Sequence, residues 1–166
     1  MAGIKYFIGI DPGLKGAVAI ISDDDVVVHD TPTVEVKTGK KKKNMFVESN
    51  MADILRPYQN EHVLVVMEKV HSMPKQGVRA MFSMGEGYGL WRGILAAFQI
   101  PYDLVTPQAW KKAMMSGQSK EKSASCYRAQ QLFSSVELFG PKGGAKDGRG
   151  DALLMAEYGR RMFNKK

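Results

Sequence analysis

Four acidic residues stand where an acid is costly unless a cation meets it. Asp11 closes the apolar stretch Ile8-Gly9-Ile10 and is followed by Pro12-Gly13, and Glu68 closes a second run, Val63-Leu64-Val65-Val66-Met67. Asp147 and Asp151 open the last helical segment, in Lys146-Asp147-Gly148-Arg149-Gly150-Asp151-Ala152-Leu153-Leu154. A carboxylate at the end of a buried strand loses hydration that something positive must replace. Four such acids converging would repel one another, and divalent metal ions with oxygen ligands are the usual remedy. The first expectation is therefore a metal-dependent hydrolase.

Each acid also has a plainer reading. Asp-Pro-Gly is a common turn, a glutamate at a strand end is an ordinary surface acid, and acids at a helix start are favoured by the macrodipole. What outweighs these is the ordered set on suitable elements. Positions i and i+4 share a helix face, so Asp147 and Asp151 point the same way if the helix begins by Asp147; otherwise Asp147 approaches as an N-cap.

The elements that must position these acids can be read from periodicity. Residues 4–10, 16–22 and 26–29 read as three strands joined by Asp-Pro-Gly-Leu-Lys and by the acidic turn Asp23-Asp24-Asp25, an antiparallel meander. A lysine-rich loop follows. Residues 44–56 carry apolar side chains at helical spacing and stop before Pro57, and residues 63–68 form the buried strand that ends in Glu68. Residues 71–77 are a loop, 78–98 a helix, 100–105 a short strand, and Thr106 caps a helix that starts at Pro107. A helix over about residues 120–133, a loop at 140–144 and the final helix from Asp147 or Gly148 complete the chain. This order predicts an α/β architecture, a mixed sheet with an antiparallel meander, later strands parallel to the first, and helices covering it.

Composition sets outer bounds. With 166 residues, 44% apolar and 25% charged, the chain is expected to form one domain over residues 1–166. The first ten residues run into Asp11-Pro12-Gly13 too soon for a secretory core, and no apolar run approaches the ~20 residues of a membrane span, so a cytoplasmic protein is expected. A single cysteine, Cys126, forbids an internal disulfide, and three scattered histidines, His29, His62 and His71, make no zinc-type cluster. Cys126 is expected as a reduced, half-buried helix residue.

The net charge of +7 and pI near 9.5 point to a polyanionic partner. The excess is local: Lys37, Lys40, Lys41, Lys42 and Lys43 fall within seven residues, and without them the net charge would be +2. The run is either a solvated loop or one that contacts phosphates.

Taken in order, Ile10-Asp11-Pro12-Gly13, Glu68, Thr106-Pro107-Gln108-Ala109-Trp110-Lys111-Lys112, Glu121-Lys122-Ser123 and Asp147-Gly148-Arg149-Gly150-Asp151-Ala152-Leu153 resemble the RNase H-like nuclease superfamily, and within it the RuvC-type Holliday junction resolvases. The resemblance spans nearly the whole chain. In the bacterial form the last two acids typically lie three apart; here they lie four apart, a spacing more like the phage and chloroplast branch. The resemblance implies an RNase H-like mixed five-stranded sheet flanked by helices. It also implies a crossover junction endodeoxyribonuclease that cuts four-way DNA junctions symmetrically as a homodimer. Two Mg²⁺ ions per site, with Mn²⁺ able to substitute, would be held by Asp11, Glu68, Asp147 and Asp151. In that scheme Asp11 bridges both ions, Glu68 binds one and orients the attacking water, and Asp151 binds the other.

The same resemblance places Lys111 and Lys122 near the scissile phosphate, with Lys112 and Lys120 as adjacent alternatives, and gives Lys40, Lys41, Lys42 and Lys43 a role in tracking DNA. The family's loop after the second acid can carry an aromatic wedge; this chain has Val70-His71-Ser72-Met73-Pro74 there, leaving His71, Met73 or the more distant Phe82. Gly85, Gly89, Gly93 and Ala97 recur every four residues, a smooth stripe that suits either tight packing on the sheet or a two-fold helix pair. Tyr88 and Trp91, off the stripe, are expected in the core. A phage-encoded protein in a bacterial host, or an organelle matrix, would also fit. Three rival readings remain: another RNase H-fold nuclease acting on RNA:DNA hybrids or flaps, a non-catalytic DNA-binding protein, and an actin-like ATPase, which would need a duplicated domain and a longer chain.

Overall fold

The computed structural model describes residues 3–164, so the two residues at each end of the expected domain lie outside the described residues. Strands β1 (Tyr6–Asp11), β2 (Ala17–Ile21) and β3 (Val26–Asp30) form the antiparallel meander, with Phe7 opposite Ile21 and Val18 opposite His29. Two further strands, β4 (Thr33–Thr38) and β5 (Lys41–Phe46), make a separate hairpin. Helix α1 (Glu48–Leu55) and a 3-10 turn (Arg56–Tyr58) lead into β6 (Val63–Glu68), which pairs parallel to β1. Helix α2 (Val78–Ala97), β7 (Tyr102–Val105) parallel to β6, and helices α3 (Pro107–Met114), α4 (Ala124–Leu132) and α5 (Asp147–Phe163) follow. The main sheet has the order β3-β2-β1-β6-β7, the mixed five-stranded arrangement expected.

Strand periodicity divides the core in two. Ile8, Ile10, Val18, Ile20, Val65 and Met67 face α1 and α2, where Met51, Leu55, Trp91 and Leu95 are fully buried. Phe7, Ala17, Ala19 and Val66 face α3, α4 and α5. Gly9 lies on this second face. A Cβ there would collide with the Ala152 carbonyl, so its absence lets α5 lie against the middle of β1.

The lysine run is not a loop. Residues Lys41, Lys42 and Lys43 are paired in β5, and only Lys40 sits in the turn, after Gly39 at φ +63°. That two-residue connection with glycine first is a hairpin turn matched to strand twist. A lone hairpin is marginal in water. This one is anchored at its base, where buried Phe46 packs on Gly87 of α2 and the Val47 amide donates to the Pro32 carbonyl. Because Asn44, Met45 and Phe46 belong to β5, the first helix starts at Glu48 rather than Asn44.

Smaller corrections concern ends. Strand β7 begins at Tyr102, since the Ile100 amide is used by the Leu95 carbonyl in the turn that ends α2. Helix α4 begins at Ala124, not near Lys120, because residues 121–123 form a turn in which the Ala124 amide bonds back to the Glu121 carbonyl. Cys126 is fully buried rather than half-buried. Burial of its thiol, aided by Asp147, pushes it up to about 11, so it stays protonated and inert.

The glycine stripe of α2 does not pack on the sheet. Gly87, Trp91 and Leu95 form the inward face, whereas a Cβ at Gly85, Gly89 or Gly93 would meet nothing within 4 Å. Trp91 is core as expected; Tyr88 is half-buried with the Arg92 guanidinium 5.2 Å above its ring.

Candidate active site

The two-residue period of β1 puts Phe7, Gly9 and Asp11 on the α5 face, and that of β6 puts Leu64, Val66 and Glu68 there too. With Ile10 opposite Met67 in the parallel ladder, Asp11 and Glu68 end neighbouring strands on one face at one edge of the sheet. The loops after both strands leave from this edge.

Helix α5 delivers the other two acids because its first turn comes unusually close to its neighbours. A Cβ at Gly148 would strike the Lys15 carbonyl in the β1–β2 turn, and one at Gly150 would lie 2.8 Å from the Cys126 amide nitrogen of α4. Between those glycines, Arg149 makes a bidentate pair with Asp30 at the end of β3, at 2.6 and 2.8 Å, and donates to the Glu137 carbonyl at 2.8 Å. That pair holds the Asp30 carboxyl below the usual carboxylate range. The helix is thus fixed along the turn between Asp147 and Asp151. It starts at Asp147, with Lys146 at the cap position, so Asp147 is the first helical residue and not the N-cap.

The four carboxylates feel one another. Burial, then Asp151 and Glu68, push the Asp11 carboxyl up to about 7, against one hydrogen bond from the Gly13 amide at 3.2 Å. Burial also leads at Asp151, raised to about 6 with contributions from Glu68 and Asp147. The Ser125 hydroxyl beside Asp151 works the other way by favouring the anion, although it falls short of standard hydrogen-bond geometry. Asp147 Oδ1 is buried without a hydrogen-bond partner, while its Oδ2 lies 3.5 Å from Lys122 Nζ.

Glu68 is held differently. Its Oε2 accepts a 2.7 Å hydrogen bond from Nε1 of Trp110, whose ring is fully buried. Thr106 caps α3 by accepting from the Ala109 amide, and the helix then turns Trp110 and Met114 inward and Lys111 and Lys112 outward. Lys111 Nζ lies 5.3 Å from the Trp110 ring and close enough to lower the carboxyls of both Asp11 and Asp151.

Of the residues expected at the site, the structure therefore gathers Asp11, Glu68, Asp147, Asp151, Lys111 and Lys122. Lys40, Lys41, Lys42 and Lys43 stand apart on the hairpin, and Lys42 is paired with Glu35 at 2.9 Å. Trp110, Ser125 and Arg149 were not singled out from sequence. The signal for Trp110 was available in part: a buried indole usually finds an acceptor, although the Nε1 of the equally buried Trp91 has none.

The donor set fits a hard divalent cation, being all carboxylate oxygen. Raised acids at Asp11 and Asp151 and the orphaned Asp147 Oδ1 also describe a place short of positive charge. Among the described residues, no three His, Cys, Asp or Glu side chains are arranged to hold one ion as they stand.

An α/β protein with an RNase H-like sheet and acids gathered at one sheet edge is the class that fold and site define. Among solved structures, the chain is similar to Thermus thermophilus RuvC in complex with Holliday junction substrate, at a TM-score of 0.60 and 13% identity, covering 95% of this chain and 96% of that one. It is also similar to the Thermus thermophilus RuvC structure, at 0.55 and 15%, covering 94% and 96%. The yeast mitochondrial Holliday junction resolvase, Ydc2, aligns at 0.47 and 16%, covering 99% and 86%. No protein-family model and no curated protein matches the sequence. The chain therefore has the RNase H-like fold in the form seen in RuvC. No helix among the described residues is long and apolar enough to cross a membrane.

Proposed function

We propose that this protein is a divalent-metal-dependent endonuclease that resolves four-way DNA junctions by hydrolysing phosphodiesters on opposed strands. One observation carries the reading: Asp11, Glu68 and the helical pair Asp147 and Asp151, from three separate parts of the chain, meet at one end of a RuvC-like sheet, where burial and mutual repulsion raise Asp11 and Asp151. The solved RuvC of the same fold is bound to a Holliday junction.

In this reading Asp11, Glu68, Asp147 and Asp151 hold Mg²⁺ or Mn²⁺. Bound there, such ions lower the pKa of an attacking water and stabilise the departing oxygen. Trp110 keeps Glu68 in one orientation by its indole N–H. Lys111 and Lys122, both exposed and beside the acids, bind the phosphate to be cut and keep its charge from opposing the carboxylates. The hairpin lysines meet the DNA backbone at a distance from the cut. A four-way junction has near two-fold symmetry, so two copies are required to face equivalent strands, and the open Gly85, Gly89 and Gly93 face of α2 suits close approach of a second helix.

The test is direct. Purified protein is incubated with a mobile four-way junction, a linear duplex and an RNA:DNA hybrid, each with Mg²⁺ or EDTA. Metal-dependent paired nicks in the junction are expected, and Asp11→Asn, Glu68→Gln and Asp151→Asn should each abolish them while leaving junction binding intact. Preferential cutting of the hybrid would instead select a hybrid-directed nuclease of the same fold.

A further inference from the structure

A groove of about 980 Å³ runs between the β4–β5 hairpin and the first turns of α2. One wall is built from Lys41, Lys42 and Lys43, of which Lys42 is paired with Glu35 at 2.9 Å, the other carries Arg79, and among the described residues no acid lines it. Its apolar part is exposed: Val78 is 84% and Phe82 70% open to solvent. The groove extends to Gly13 and Leu14, in the turn whose Gly13 amide holds Asp11. Lys37 lies opposite Lys42 across the hairpin, and Lys42 is offset by its pair with Glu35, so Lys41 and Lys43 are the groove's hairpin cations left for an anionic ligand.

Cations on the walls and an exposed aromatic between them constitute the chemistry of a strand whose bases are unpaired: phosphates meet the lysines and arginine while a base stacks on the ring. A closed duplex offers no free base face to Phe82. We propose that this groove binds unpaired DNA and leads it over the sheet edge past Asp11. The inference rests on the nuclease reading for its direction, but not for its existence.

The experiment uses the natural burial of the two tryptophans. Trp91 and Trp110 are fully buried, so in a Phe82→Trp variant the introduced indole is the one exposed to a ligand. Titration with a short oligothymidylate in EDTA should quench and shift that emission, with an affinity that falls as salt rises. Adding Lys43→Ser and Arg79→Ala should flatten the salt dependence by about 1.4, at roughly 0.7 per phosphate contact on a single strand. Phe82→Ala in the otherwise native protein should weaken oligothymidylate binding tenfold or more.

If the indole does not respond although the same protein binds a four-way junction by anisotropy, the groove inference is overturned and the nuclease reading stands. Should emission change with protein concentration and not with oligonucleotide, the face contacts another protein copy and the inference is likewise overturned. A clear response in a protein that never nicks DNA supports the groove and removes the nuclease reading.

Discussion

Replacing Asp11 by Asn should destroy cleavage and yet make the metal-free protein more stable. The native carboxyl is raised from 3.8 to about 7, chiefly by burial and then by Asp151 and Glu68. Between those pH values the folded state holds a proton that the unfolded chain has lost. Stability must therefore fall as pH rises through this window, with the full penalty present above about 7. The difference corresponds to about 4 kcal/mol at pH 8 and about 1.5 kcal/mol at pH 5. Residual compactness of the unfolded chain reduces both. Asn has nearly the same shape, and its carbonyl can still accept from the Gly13 amide. Urea unfolding in EDTA, followed by the emission of buried Trp91 and Trp110, should show an advantage for Asp11→Asn that grows from pH 5 to 7 and then levels off. At pH 8, Mg²⁺ at ten times its dissociation constant should raise wild-type stability by about 1.4 kcal/mol and the variant's much less. An Asp11→Asn protein that is less stable than wild type at pH 8, or whose advantage ignores pH, would refute the reasoning.

Trp110→Phe should leave junction binding unchanged but shift the Mg²⁺ dependence of cleavage upward by about ten- to hundredfold, since Glu68 loses its orienting donor; an unchanged metal titration would make the indole purely a core residue. Changing Lys40, Lys41, Lys42 and Lys43 together to Ser should weaken binding to every DNA shape and flatten the plot of log affinity against log salt by up to roughly 0.9 per lost duplex contact, while junction preference survives; an unaltered slope would leave the hairpin solvated. Gly89→Leu should fold well, because the site is open and Leu gains up to about 1 kcal/mol in helix propensity, yet it should sediment as a monomer and lose paired nicking. A dimeric, fully active Gly89→Leu protein would place the subunit contact elsewhere.

The main sheet was legible because each of its strands carries a signal that tertiary contacts reinforce. The apolar runs of β2 and β6 and the Thr106-Pro107 cap all agree with the fold. The hairpin was misread for a physical reason. Thr33-Val34-Glu35-Val36 alternates in the manner of a strand, but its partner strand opens with three consecutive lysines, one of them opposite Lys37, and such a run carries no strand signal until Phe46, opposite Thr33, docks on Gly87. The acids were recognisable as a set from their positions at element ends. Their surroundings were not, because Trp110 reaches Glu68 across 42 residues and Arg149 reaches Asp30 across 119. The inward or outward direction of the α2 stripe was equally hidden, since Gly85, Gly87, Gly89 and Gly93 supply no side chain by which periodicity could tell the faces apart.

The close approaches at Gly9, Gly148 and Gly150 alter where inactivating mutations should fall. The carboxylates are fixed in place by side chains that are absent, and each of these glycines admits α5 to within backbone contact of β1, the β1–β2 turn or α4. Alanine at any of them adds a single methyl, removes no charge and touches no substrate, yet it obliges the helix that carries Asp147 and Asp151 to move. A random-mutagenesis selection for cleavage-deficient, still-soluble protein should therefore return alleles at these glycines alongside alleles at the acids. Chemically silent positions would carry much of the genetic signature of the site.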